Sequence, residues 1–105
     1  ALSYSGRSEL VDCVRAIATK TREGRLDPSD INERVISEHL HTRNWPDPDL
    51  LIRTSGEMRV SNFLLWQISY AEFVITNVLW PDFRKLQLIE ALEEYARRHR
   101  RFGGI

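Results

Sequence analysis

Apolar positions along the chain follow two rhythms. From Ser8 to about Glu23, Leu10, Val11, Val14, Ile17 and Ala18 recur at the spacing that gathers them on one face of a helix. Gly24 is placed to stop that helix. Asp27, Pro28 and Asp30 read as a cap with proline in the first turn, ahead of a second helical face made by Ile31, Val35, Ile36, His39 and Leu40. Asn44-Trp45-Pro46-Asp47-Pro48 must turn the chain. The rhythm then changes. Leu50-Leu51-Ile52 is an unbroken apolar run bounded by Pro48 and Gly56, which predicts a strand from Asp49 to Arg53 buried on both faces. The polar stretch Thr54 to Arg59 predicts a loop. Ser61 is placed to cap a helix carrying Phe63, Leu64, Trp66, Gln67 and Tyr70, and Phe73-Val74-Ile75 centres a second buried strand from Glu72 to Thr76. Beyond the Trp80-Pro81 break, Leu86, Ile89, Leu92, Tyr95 and Ala96 mark a final helix, closed by the basic run Arg97 to Arg101 and by Gly103-Gly104. The opening Ala1 to Gly6 reads as the end of a strand running into a glycine turn.

Strands alternating with helices define the α/β class, with a parallel sheet and crossover helices. Two full strands and a stub leave such a sheet with an open edge. The clipped first strand and the absence of a starting methionine predict missing upstream chain. A length of 105 residues with 42% hydrophobic positions allows one modest core, so one domain or part of one. Lys plus Arg and Asp plus Glu number 15 each, which removes the global argument for a nucleic-acid partner and makes any anion site local. Cys13 stands alone, which excludes an internal disulfide and fits the reducing cytoplasm. No run approaches the roughly 20 apolar residues of a spanning helix, so the expectation is a soluble protein or one attached to a membrane surface.

In open parallel sheets ligands bind beyond the carboxyl ends of the strands, which directs attention to Arg53-Thr54-Ser55-Gly56-Glu57-Met58-Arg59-Val60-Ser61. Two guanidinium groups, several hydroxyls and a predicted helix start meet there. Arg presents a planar fork of donors that matches phosphate oxygens, and a helix N-terminus adds unpaired N–H groups. A diphosphate suits this equipment. The same residues also admit a structural reading, with Arg53 and Arg59 paired to Glu57 and Glu72 and Ser61 acting only as a cap. Glu72 offers a carboxylate for Mg²⁺ or for an ion pair. His39 and His41 are two apart and point to different helix faces, and neither Cys13 nor His99 completes a zinc site. No Walker loop or dinucleotide fingerprint is present. Trp45, Trp66 and Trp80 are not interleaved with a basic run, so they read as core or groove residues and not as base-stacking platforms.

Several long strings resemble one family. Pro48-Asp49-Leu50-Leu51-Ile52-Arg53-Thr54-Ser55-Gly56-Glu57, Arg59-Val60-Ser61-Asn62-Phe63-Leu64-Leu65-Trp66-Gln67, Tyr70-Ala71-Glu72 and Leu79-Trp80-Pro81-Asp82-Phe83 are similar to the two C-terminal signature regions of the cis-prenyltransferases, which include undecaprenyl diphosphate synthases. Tyr4-Ser5-Gly6-Arg7 and Arg101-Phe102-Gly103-Gly104 resemble further family motifs, so the likeness runs the whole chain. It implies the C-terminal half of a single domain, spanning 1–105, and a six-stranded parallel sheet with a tunnel for the growing hydrocarbon in the complete enzyme. It also implies a homodimer.

By position the resemblance assigns Arg53, Arg59, Val60 and Ser61 to the isopentenyl diphosphate group. Glu72 corresponds to a Mg²⁺ ligand supplied across the subunit interface, and Arg101 and Gly103 to a tail reaching the partner's site. Met58 stands where some members have His and receives no role. The family's phosphate loop Asp-Gly-Asn-Gly-Arg-Trp and its Phe-Ser-x-x-Asn-Trp region have no counterpart here, so no catalytic residue is assigned. The chain alone is expected to be inactive. The implied reaction joins isopentenyl diphosphate to an allylic diphosphate such as farnesyl diphosphate. The rival reading is a non-catalytic subunit of the same fold supporting a catalytic partner, and the retained Arg53, Arg59, Ser61 and Glu72 favour the enzyme.

Overall fold

The computed structural model describes residues 4–56 and 59–103, with side chains described as far as residue 98. The chain divides into two compact units, residues 1–47 with 61–67, and residues 48–60 with 68–105.

In the first unit, α1 runs from Gly6 to Arg22. It begins two residues before the sequence pattern does, because Ser5 is its cap: extended at φ −140°, Ser5 accepts a hydrogen bond from the Ser8 N–H at 3.3 Å. Tyr4 and Ser5 are therefore not strand, and the predicted stub otherwise falls on residues 1–3, outside the described residues. The helix ends in a Schellman turn: Gly24 adopts φ +74°, its N–H donates to the Thr21 carbonyl, and the Arg25 N–H donates to that of Lys20. Asp27 caps a turn of 3₁₀ helix at Pro28–Asp30, accepting from the Ser29 N–H. The following helix has its own cap, Asn32, whose Oδ1 accepts from the Val35 N–H at 3.0 Å, so α2 is the short Glu33–Glu38.

Cys13, Ile17, Val35 and Leu40 form the core of this unit, with Leu10, Leu26, Ile36 and Trp66 packed around them. Burying aliphatic side chains such as these stabilises by about 1.5–3 kcal/mol each. Of the predicted apolar face of α1, Leu10 and Ile17 point inward, while Val11 and Val14 lie on a second, exposed stripe.

The helix expected after Ser61 does not form. Ser61, Asn62 and Leu64 have φ of 54°, 61° and 43°, and residues 61–70 are a succession of turns. Tertiary hydrogen bonds override the local pattern: the Asn62 carbonyl accepts from the Gly6 N–H, Trp66 Nε1 donates to Ser37 Oγ at 3.2 Å, and Gln67 Nε2 donates to Glu9 Oε1 at 3.0 Å.

Glu9, only 1% exposed, is the centre of that network. Tyr4 donates its hydroxyl to Oε1 at 2.5 Å and the His41 N–H donates to Oε2 at 2.8 Å. Burial alone raises a carboxyl, but here the donors from Tyr4, Gln67 and His41 outweigh it and hold Glu9 below its ordinary range. Burial and the neighbouring Glu9 push Tyr4 up to about 12. The same two influences raise Cys13, which remains a buried thiol.

In the second unit, β1 (Leu50–Arg53) and β2 (Glu72–Ile75) pair in parallel, with Leu50 opposite Glu72 and Arg53 opposite Ile75. The order confirms an α/β fold. Both strands were expected to be buried on both faces. Instead β1 is half-buried throughout and Val74 is the buried residue of β2, since each strand has one strand neighbour among the described residues. A 3₁₀ turn at Trp80–Asp82 leads into α3, Lys85–Gly103, which packs on β2. Among the described residues its buried position is Ala91, whereas the predicted face residues Leu86, Ile89 and Leu92 are exposed. Among the described residues no helix is long and apolar enough to cross a membrane.

The Glu9 network carries a pH prediction. A carboxyl held below its ordinary value stabilises the fold above the unfolded value near 4.3, and that contribution is lost as pH falls through the folded value. In the protein containing this chain, denaturation midpoints should fall as pH drops below about 5, and Glu9→Gln should flatten that acid limb. Parallel profiles for the two proteins would contradict this role for Glu9.

Candidate functional site

Of the residues singled out by sequence, Arg53, Arg59, Val60 and Glu72 belong to the second unit and Ser61 to the first. Arg53 is the last residue of β1, fixed there because its carbonyl accepts from the Thr76 N–H at 2.9 Å. That places Arg53 at the carboxyl end of the sheet. The chain then makes a left-handed turn through Ser55 (φ 64°) and Gly56 (φ 68°). Their N–H groups donate to the carbonyls of Val78 and Thr76, at 2.9 and 2.7 Å. These two amides are committed to the fold and are not free for a ligand. A methyl group on Gly56 would approach Asn77 Oδ1 to 2.8 Å, which adds a steric reason for glycine to the conformational one.

Arg59 and Val60 follow as exposed residues. Among the described residues, neither Arg53 nor Arg59 has a carboxylate within ion-pair distance. Glu57, one carboxylate that could pair with them, and Met58 lie outside the described residues. Ser61 is exposed and left-handed, so the sequence reading of it as a helix cap is corrected. No helix follows it, and its hydroxyl is presented from a turn.

Glu72 opens β2, with its N–H bonded to the Asp49 carbonyl at 2.9 Å. The register sets it three residues from the Arg53 level, roughly 10 Å along the strands, at the opposite end of the sheet. Its partner is neither Arg53 nor Arg59 but Arg98 on α3, whose Nη1 lies 3.6 Å from Glu72 Oε2 and donates to the Phe73 carbonyl at 2.7 Å. Arg98 Nε also donates to Glu94, which pairs with Arg97 as well. Hydrogen bonds from Arg97 and Arg98 hold Glu94 below its ordinary range. Sequence reasoning missed this cluster, although the i, i+4 spacing of Glu94 and Arg98 was visible.

Among the described residues no group of three His, Cys, Asp or Glu is arranged to hold a metal ion. Glu72 is one half-buried carboxylate, which fits a cation held mainly by phosphate oxygens and water and does not amount to a complete protein site. The side chain of Arg101 lies outside the described residues, and Gly103 is the last residue of α3.

The sequence matches the undecaprenyl diphosphate synthase family of prenyltransferases over residues 1–103, and the chain belongs to that family. It is 53% identical over 105 residues to an isoprenyl transferase of Bacillus subtilis (strain 168), covering 100% of this chain and 40% of the relative. To an isoprenyl transferase of Porphyromonas gingivalis it is 54% identical over 103 residues, covering 98% of this chain and 41% of the relative. Among solved structures, lavandulyl diphosphate synthase from Lavandula x intermedia, in complex with dimethylallyl diphosphate, superposes with a TM-score of 0.87 at 45% identity. The match covers 90% of this chain and 41% of that one. The chain thus spans about two fifths of the length of the curated relatives it matches.

The Glu72–Arg98 contact yields a measurable coupling. With the two side chains 30% and 36% exposed, a double-mutant cycle of Glu72→Gln and Arg98→Ala should give about 0.2–1 kcal/mol of interaction energy by chemical denaturation of the protein containing this chain. Strict additivity would show that the pair contributes nothing.

Proposed function

We propose that the chain is part of a cis-prenyltransferase that joins isopentenyl diphosphate to an allylic diphosphate such as farnesyl diphosphate. Family membership and relatives named isoprenyl transferases support the class of reaction. The solved neighbour carries an allylic diphosphate. The observation that carries the reading is Arg53: an arginine at the carboxyl end of a parallel strand, with no carboxylate partner among the described residues, followed by the exposed Arg59.

In the reaction the allylic carbon–oxygen bond breaks and diphosphate departs with the electron pair. The double bond of isopentenyl diphosphate attacks the carbon left behind, and loss of a proton leaves a new cis double bond. By their match to the family's motif, Arg53 and Arg59 are assigned to the diphosphate of isopentenyl diphosphate, as is Ser61, with Val60 between Arg59 and Ser61 in sequence, and holding that group would fix its double bond for attack. Glu72 would supply one carboxylate ligand to a Mg²⁺ ion, which when bound would neutralise diphosphate charge. The family resemblance is what supports a homodimer in which Glu72 serves the partner subunit's site, with Arg101 and Gly103 following it.

Arg59→Ala tests the reading in the full-length enzyme. It should raise the KM for isopentenyl diphosphate by roughly one to two orders of magnitude, matching the loss of a charge-assisted hydrogen bond of about 1.5–3 kcal/mol, and leave the allylic KM nearly unchanged. Equal effects on both substrates would overturn the assignment. Glu72→Gln should raise the Mg²⁺ concentration giving half-maximal rate, and an unchanged Mg²⁺ dependence would leave Glu72 as the ion-pair partner of Arg98 alone.

A further inference from the structure

We propose that Asn62 is a positioning residue that sets the direction of the Ser61 hydroxyl, an inference that rests on the reading of Ser61 as a diphosphate ligand. Ser61 and Asn62 are consecutive left-handed residues, φ 54° and 61°, exposed at the surface. Asn tolerates this conformation because its side chain bonds to nearby backbone, whereas Ser adopts it at a cost and needs a neighbour to hold it.

Among the described residues, Asn62 supplies the holding contacts. Its Oδ1 accepts from the Arg7 N–H at 2.8 Å, its Nδ2 donates to Ser5 Oγ at 2.8 Å, and its carbonyl accepts from the Gly6 N–H at 2.9 Å. These contacts, with Ser5 accepting from Ser8 and Glu9, use up the N–H groups of the first turn of α1. The helix end is therefore an anchor for the Ser61 turn and not itself an anion site.

Gly6 is the other half of this latch. A methyl group there would lie 2.9 Å from Leu65 Cγ and 3.0 Å from the Asn62 carbonyl oxygen, so only glycine lets the turn seat against the helix. An open hollow lined by Arg7, Ser61, Asn62 and Leu65 lies beside the seat, which leaves the Ser61 side accessible to a ligand.

The test compares Asn62→Ala, Gly6→Ala and Ser61→Ala in the full-length enzyme, with Asn62→Gly as a variant that keeps the left-handed freedom and loses only the side-chain contacts. Asn62→Ala and Gly6→Ala should each raise the KM for isopentenyl diphosphate roughly tenfold, the equivalent of one well-formed hydrogen bond, with the allylic KM unchanged. In a Ser61→Ala background Asn62→Ala and Asn62→Gly should add almost nothing, because Asn62 acts through Ser61. A merely structural Asn62 would shift both KM values together and add its full effect to Ser61→Ala, and that result would overturn the proposal. An effect of Ser61→Ala with none from Asn62→Gly would overturn the proposal alone. No effect of Ser61→Ala would remove the reading of Ser61, and the proposal with it.

Discussion

A buried carboxylate is tolerated only when it is surrounded by donors, and Glu9 meets that condition by drawing in three separate stretches of chain. Tyr4, His41 and Gln67 each supply a donor, and all three are brought to one point on α1. An uncompensated charge there would cost several kcal/mol, so the fold cannot let any of these stretches drift without exposing the cost. The consequence reaches the loop that carries Ser61. Residues 61–67 are tied to α1 at both ends, by Asn62 at its first turn and by Gln67 at Glu9. That double tie explains why the segment forgoes a helix.

The second unit obeys a different constraint, the register of one parallel strand pair. Because Leu50 lies opposite Glu72 and Arg53 opposite Ile75, Glu72 and Arg53 are assigned to opposite ends of the sheet. Beyond Arg53 the amides of Ser55 and Gly56 are spent on Val78 and Thr76, which ties the start of the loop to the segment after β2. Arg98 holds Glu72 through the ion pair and braces β2 through the Phe73 carbonyl. An acid already paired with arginine can still contribute to a cation whose other ligands are phosphates and water.

The elements most legible in the sequence were those whose signal is local. The unbroken run Leu50-Leu51-Ile52 and the triplet Phe73-Val74-Ile75 located both strands, and Gly24 located the end of α1. The loop carrying Arg53 and Arg59 was legible for the same reason. What failed depended on distant partners. The apolar pattern after Ser61 is helical in spacing, yet its fate is set by Asn62 meeting Gly6 and Arg7 more than 50 residues away. Glu9 carries no such local signal, since nothing within a helical turn of it announces that Gln67 and His41 will converge on it. Val11 and Val14 of α1, and Leu86, Ile89 and Leu92 of α3, sit on the helices that the spacing predicts and yet are exposed, because periodicity shows that a face is apolar without showing what covers it.

The central claim is that the protein containing this chain builds cis-prenyl diphosphates, and the most direct measurement is of product. Full-length enzyme would be incubated with farnesyl diphosphate, isotopically labelled isopentenyl diphosphate and Mg²⁺, and the geometry of each newly formed double bond read by NMR. The account predicts labelled polyprenyl diphosphate in which every added unit is cis. Absence of label in the lipid, or new double bonds that are trans, would contradict it.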